Sequence, residues 1–137
     1  MFANTSPIDS KTAAQLSPLS LAYLGDAVYE LIVRQMLISG PNKSNGMLHA
    51  SATDYVSARA QSAFVDNIIG ELTEDELHIY KRGRNSDAVP GRNVAVSDYK
   101  KATGLEALFG YLYLIGANDR LWELFCKMSG NLDAETE

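Results

Sequence analysis

The sequence predicts an all-α fold on three observations. Apolar residues recur at the three- and four-residue steps of a helix, hydroxyl and proline residues stand where helices would begin, and no alternating strand pattern runs longer than a few residues. Asp9 to Gln15 reads as a short first helix. Ser17-Pro18 then offers an N-cap hydroxyl followed by proline at the first helical position, where its missing N–H costs nothing. Leu21, Leu24, Val28, Leu31, Ile32 and Met36 carry the helical period from Leu19 to Ile38, and Ser39-Gly40-Pro41-Asn42 stops it. After Ser44, a side made of Leu48, Ala52, Tyr55, Val56, Ala60, Phe64, Ile68 and Ile69 predicts an unbroken helix to about Gly70, the longest in the chain. Thr73 and Glu76 have the spacing of a capping box and open a short helix through about Gly83. Asn85, Ser86, Pro90, Gly91 and Asn93 make Arg84 to Ser97 a surface loop. Ser97 is the expected cap of a helix running from Asp98 to about Ile115, Asn118 that of a last helix ending before Gly130, and the acidic Leu132 to Glu137 is expected to fray.

Composition bounds the rest. With 137 residues, 46% hydrophobic and 21% charged, the chain is expected to form one domain over 1–137, with its core at about 18–130 and short flexible termini. No run approaches the roughly 20 apolar residues that cross a bilayer, and Met1 to Ser10 lacks the basic start and apolar run of a signal peptide. The cytoplasm is therefore the expected compartment, with no membrane partner. The single cysteine, Cys126, cannot form an intramolecular disulfide and, following Leu121-Trp122-Glu123-Leu124-Phe125, is expected to be buried and inert. A net charge of −5 speaks against a generally basic nucleic-acid binder. Between Lys81 and Lys101, however, Lys81, Arg82, Arg84, Arg92, Lys100 and Lys101 face only Asp87 and Asp98. Such a segment is either a local polyanion-binding stretch or a solvated charged loop.

Two segments place a carboxylate among apolar and small residues within a helix: Leu21 to Leu31, which contains Asp26, and Tyr99 to Gly110, which contains Glu106. A buried ionised carboxylate needs a cation, a hydrogen-bond network or a route to water. A metal is one solution; pairing with a nearby base such as Arg34 or Lys101 is another. Gly25 and Gly104 add a geometric hint, because glycine inside a helix costs about 1 kcal/mol against alanine and usually reflects close approach of another backbone. Close helix packing would bring Asp26 and Glu106 together.

The segment Leu24-Gly25-Asp26-Ala27-Val28 closely resembles the signature of the ribonuclease III family, and Glu106-Ala107-Leu108-Phe109-Gly110-Tyr111-Leu112-Tyr113-Leu114 resembles that family's second catalytic helix. The resemblance covers roughly Pro18 to Gly116. Lys81-Arg82-Gly83-Arg84-Asn85 and Tyr99-x-x-Ala102-Thr103-x-x-Glu106-Ala107-Leu108 are similar to the shortened bacterial branch, Mini-ribonuclease III, which lacks a separate double-stranded RNA-binding domain.

The resemblance implies the ribonuclease III endonuclease-domain fold and an endoribonuclease that cuts double-stranded RNA, leaving 5′-phosphate and 3′-hydroxyl ends. It implies a homodimer, with Asp26 and Glu106 as catalytic residues and ligands of Mg²⁺, for which Mn²⁺ can substitute. The implied role is maturation of large-subunit (23S) precursor ribosomal RNA, with an assisting ribosomal protein as a possible partner. Lys81, Arg82, Arg84, Asn85, Arg92, Lys100 and Lys101 are the expected RNA contacts. The chain departs from the full-length pattern at two acidic positions, where it has Ala22 and Thr103. One ion per site with water completing its shell is therefore expected. Glu30 is expected on the surface, and Asp98, about 12 Å up the helix from Glu106, too far to share an ion. His49 and His78 are not needed, and Tyr111, Tyr113 and Trp122 are expected in the core or the dimer interface. The rival reading is a catalytically weak RNA-binding or ribosome-assembly protein on the same fold. A helical phosphohydrolase for small phosphoesters lacks the paired His-Asp metal motif.

Overall fold

In the computed structural model, which describes residues 6–41, 44–87, 89–91 and 94–130, caps decide where most helices begin. Helix α1 spans Ser10–Ala14 behind an Asp9 cap, and α2 spans Pro18–Ile38, with the Ser17 hydroxyl accepting from the Ser20 N–H at 3.1 Å. The capping box that opens α5, Glu74–Arg84, is complete: the Thr73 hydroxyl accepts from the Glu76 N–H at 3.2 Å, and the Glu76 carboxylate accepts from the Thr73 N–H at 2.9 Å. Among the described residues no strand forms, and the all-α reading holds.

The long helix expected from Ser44 is two helices, α3 Asn45–Val56 and α4 Ala58–Ile68, followed by a 3₁₀ turn at Ile69–Glu71. Ser57 breaks it. Its backbone is extended and its hydroxyl accepts from the Ala60 N–H at 3.1 Å, so a serine that competes with helical hydrogen bonding caps a new start. The longest helix is therefore α2. The last two also begin earlier than expected: α6 spans Val96–Leu114 behind Ala95, and α7 spans Asn118–Met128 behind Ala117. Neither Ser97 nor Asn118 is the cap, and no side chain caps either helix. Leu132 to Glu137 lies outside the described residues.

Helix α6 is the centre, packed by α2 on one side, by α5 on another and by α4. From Ala102 to Leu112 every residue but Glu106 is buried, as befits a helix surrounded by others. Tyr29 of α2 meets Phe109 of α6 edge-on at 5.5 Å and Phe125 of α7 at 6.0 Å. On α7 the buried stripe is Leu121, Leu124, Phe125 and Met128. Cys126 lies one step round from that stripe, so the cysteine expected to be buried is exposed. The Arg120 guanidinium straps α7 to α5, donating to both oxygens of the 5% exposed Glu76 carboxylate at 2.8 Å. Burial pushes the Glu76 carboxyl up, but Arg120 and the Thr73 hydrogen bonds together outweigh it and hold the carboxyl below its ordinary value. No described helix is long and apolar enough to cross a membrane.

Candidate active site

Helices α2 and α6 touch through glycine. A Cβ on Gly25 would collide with the Glu106 carbonyl oxygen and stand 2.8 Å from the Gly110 nitrogen, and one on Gly110 would collide with the Leu21 carbonyl. The backbones can meet only because both positions lack a side chain. Gly104, the other glycine singled out in the sequence, serves a different contact: it lies against Tyr80 of α5.

The α2–α6 contact sets the chemistry. Asp26 follows Gly25, and Glu106 is the residue whose carbonyl covers Gly25, so the two side chains emerge together. Their carboxyls lie within hydrogen-bonding reach of each other. Asp26 is exposed and Glu106 half-buried, so the pair opens to solvent on the Asp26 side. Burial first, and the Asp26 charge second, push the Glu106 carboxyl up to about 8; a hydrogen bond from Gln61 acts in the opposite sense. Neither base considered from the sequence serves as the partner. Arg34 lies 3.6 Å from Glu30, on the surface of α2, and Lys101 lies 2.8 Å from Asp66.

Two residues around the pair were not read from the sequence as part of a site. Gln61 of α4 donates from Nε2 to the Val56 carbonyl at 2.9 Å and to Glu106 Oε2 at 3.3 Å. Tyr29 donates to the Tyr55 carbonyl at 2.7 Å, and burial, with Glu106 nearby, keeps its phenol protonated. The last carbonyls of α3 are thus tied to the residues flanking the carboxylates. A signal for Gln61 existed, since it shares a helical face with Val65 and Ile68. Carrying the phase of α3 across Ser57 concealed it.

At the two departures from the full-length pattern, Ala22 is buried and Thr103 is buried with its hydroxyl donating to the Tyr99 carbonyl at 2.9 Å. Among the described residues no group of three or more histidine, cysteine, aspartate or glutamate side chains could hold a metal ion. Asp98 lies in the first turn of α6, and His49 and His78 are exposed. Tyr111 is buried, Tyr113 and Trp122 half-buried.

The basic residues are divided in use. Lys81 is exposed at the end of α5 and Lys100 half-buried on α6. Arg84 lies 5.7 Å over the Tyr80 ring and donates to the Asn85 side chain at 3.2 Å. Arg82 turns inward, donating to the carbonyls of Ala14 at 2.6 Å and Leu16 at 2.9 Å, and so holds the end of α1. Arg92 lies outside the described residues.

Comparison with known proteins points one way. The Ribonuclease III domain matches residues 19–116. Proteins named Mini-ribonuclease 3 are similar over most of the chain. That of Clostridium tetani is 42% identical, covering 89% of this chain and 82% of its own. That of Thermosynechococcus vestitus is 39% identical over 99% and 90%, and that of Enterococcus faecalis 48% over 80% and 86%. A crystal structure of a Fusobacterium nucleatum protein superposes with a TM-score of 0.73 at 36% identity, covering 81% of this chain and 91% of that one.

Proposed function

The chain belongs to the ribonuclease III family, in its Mini-ribonuclease III branch, and is an endoribonuclease; from that premise we propose that it cuts double-stranded RNA with Mg²⁺ held by Asp26 and Glu106. The carrying observation is the carboxylate pair that the Gly25–Gly110 contact forces together at an opening to solvent.

The residues present suit the ion. Two carboxylates are hard oxygen donors, and Mg²⁺ keeps several waters and needs few protein ligands. A glutamate pushed upward by burial and a like charge gains from a cation beside it. When bound, the ion supplies charge neutralisation at the attacked phosphate and an activated water as nucleophile. Asp26, on the exposed side, faces the substrate, while Glu106, steadied by Gln61, keeps one orientation. The expected products carry 5′-phosphate and 3′-hydroxyl ends.

The substrate reading rests on charge and shape. Duplex RNA offers proteins its phosphates and 2′-hydroxyls rather than its base edges. We assign that contact to Lys81, Arg84, Asn85, Lys100 and Lys101, the last of which also pairs with Asp66, while Arg82 adds charge but gives two of its donors to Ala14 and Leu16. A homodimer is supported by Leu19 and Tyr23, apolar side chains one turn apart on α2 at 44% and 86% exposure. The natural substrate we infer is precursor ribosomal RNA of the large subunit, in the cytoplasm, with a ribosomal protein able to assist.

The test is cleavage of a labelled RNA duplex with Mg²⁺ and with chelator, beside its single strands and the Asp26→Asn variant. Cutting is expected only of the duplex and only with Mg²⁺, and it should fall by about two orders of magnitude or more in the variant while melting hardly changes. Duplex binding without cutting would favour the rival RNA-binding protein, with Ala22 and Thr103 marking lost ligands. Near-normal cutting by Asp26→Asn would remove that residue from the mechanism.

A further inference from the structure

Gln61 is 2% exposed, yet its two amide ends are treated unequally. Nε2 uses both its protons, on the Val56 carbonyl and on Glu106 Oε2. Turning the amide over would set its oxygen against two acceptors, so these partners dictate which end is which. Oε1 is then a buried acceptor that no described protein group meets. Native structures rarely leave a buried acceptor unmet, and where they do the group commonly serves a ligand or water. Here the group belongs to the side chain that holds Glu106.

We infer that Gln61 is a positioning residue of the metal site: Nε2 orients the Glu106 carboxylate, and Oε1 accepts a hydrogen bond from a water hydrating the ion. The inference rests on the metal reading above and extends it to α4. Groups behind metal ligands act by fixing ligand orientation, and their loss typically weakens metal affinity or activity by about 10- to 100-fold. The competing account makes Gln61 a cap for the α3 end at Val56. A cap supports stability and leaves the affinity for metal unchanged.

Mn²⁺ alone is the probe, with free ion counted by electron paramagnetic resonance on the whole protein without RNA. Gln61→Met conserves volume and removes donors and acceptor together. It should weaken Mn²⁺ binding by about 10-fold or more, with helix content and duplex affinity in chelator retained. Unchanged Mn²⁺ affinity in that folded variant would overturn the inference. Should Gln61→Met fail to fold, Gln61→Asn keeps the same groups but withdraws them by one methylene; weaker Mn²⁺ binding supports the role and equal binding overturns it. Absence of Mn²⁺ binding by the unsubstituted protein would sink the metal reading itself and the inference with it, an outcome distinct from a loss confined to the variants.

Discussion

Glu106 carries the conflict on which the site is built. Burial and the Asp26 charge push its carboxyl up to about 8, against an ordinary value of 4.5. Without divalent cation, the folded protein holds a proton between those limits that the unfolded chain has released. Stability rises with pH only where the unfolded state binds more protons, so here it falls. The stability present below about 4.5 is lost as pH climbs through about 8. Melting of the metal-free protein should therefore drop from pH 5 to 8.5, and Glu106→Gln, which cannot ionise, should flatten that profile. Parallel profiles for the two proteins would show that Glu106 is not under this strain. Adding Mg²⁺ at pH 8 should recover part of the loss, because the cation favours the ionised form.

Between elements, the α2–α6 contact dominates. Gly25→Ala puts a methyl where the Glu106 carbonyl already lies, and both groups belong to helices fixed along their length. The helices must separate, and the expected destabilisation is about 3 kcal/mol or more by denaturant titration. Gly46, in the first turn of α3, meets nothing within 4 Å at its Cβ, so Gly46→Ala should be neutral or stabilising by up to about 1 kcal/mol. Similar effects from both variants would mean that the contact is looser than the backbones indicate. Because the same contact brings Asp26 to Glu106, Gly25→Ala should also lose cleavage in whatever fraction stays folded.

Across the whole molecule, charge is partitioned rather than balanced. The chain carries −5 overall, while the α5 end and the start of α6 collect basic side chains. Each phosphate contact contributes roughly 0.7 to 0.9 to the slope of log affinity against log salt. Arg84→Ala should make that slope shallower by about one contact with melting nearly unchanged. Arg82→Ala should lower melting, because the carbonyls of Ala14 and Leu16 lose their donor, and should move the slope less. The reverse assignment would require Arg82 to leave α1 in the complex.

Fold class, the starts of α2 and α5 and the two carboxylates set among small residues were legible in the sequence because each depends on local chemistry, while the meeting of Asp26 with Glu106 followed from the family resemblance and from the α2–α6 contact. A hydroxyl before proline, a Thr-x-x-Glu spacing and a carboxylate among small residues keep their meaning in any helical surrounding. Tertiary structure decided what depends on phase and on partners. Ser57 turned one long helix into two and rotated Gln61 onto the buried face beside Glu106. The stripe of α7 left Cys126 exposed, and docking of α1 claimed Arg82 from the basic set. Gly104 proved to seat α5, while Gly110 completed the notch with Gly25. Periodicity says that a helix has a buried side, but which neighbour lies against it, and which polar group that neighbour brings, is settled only when several helices pack at once.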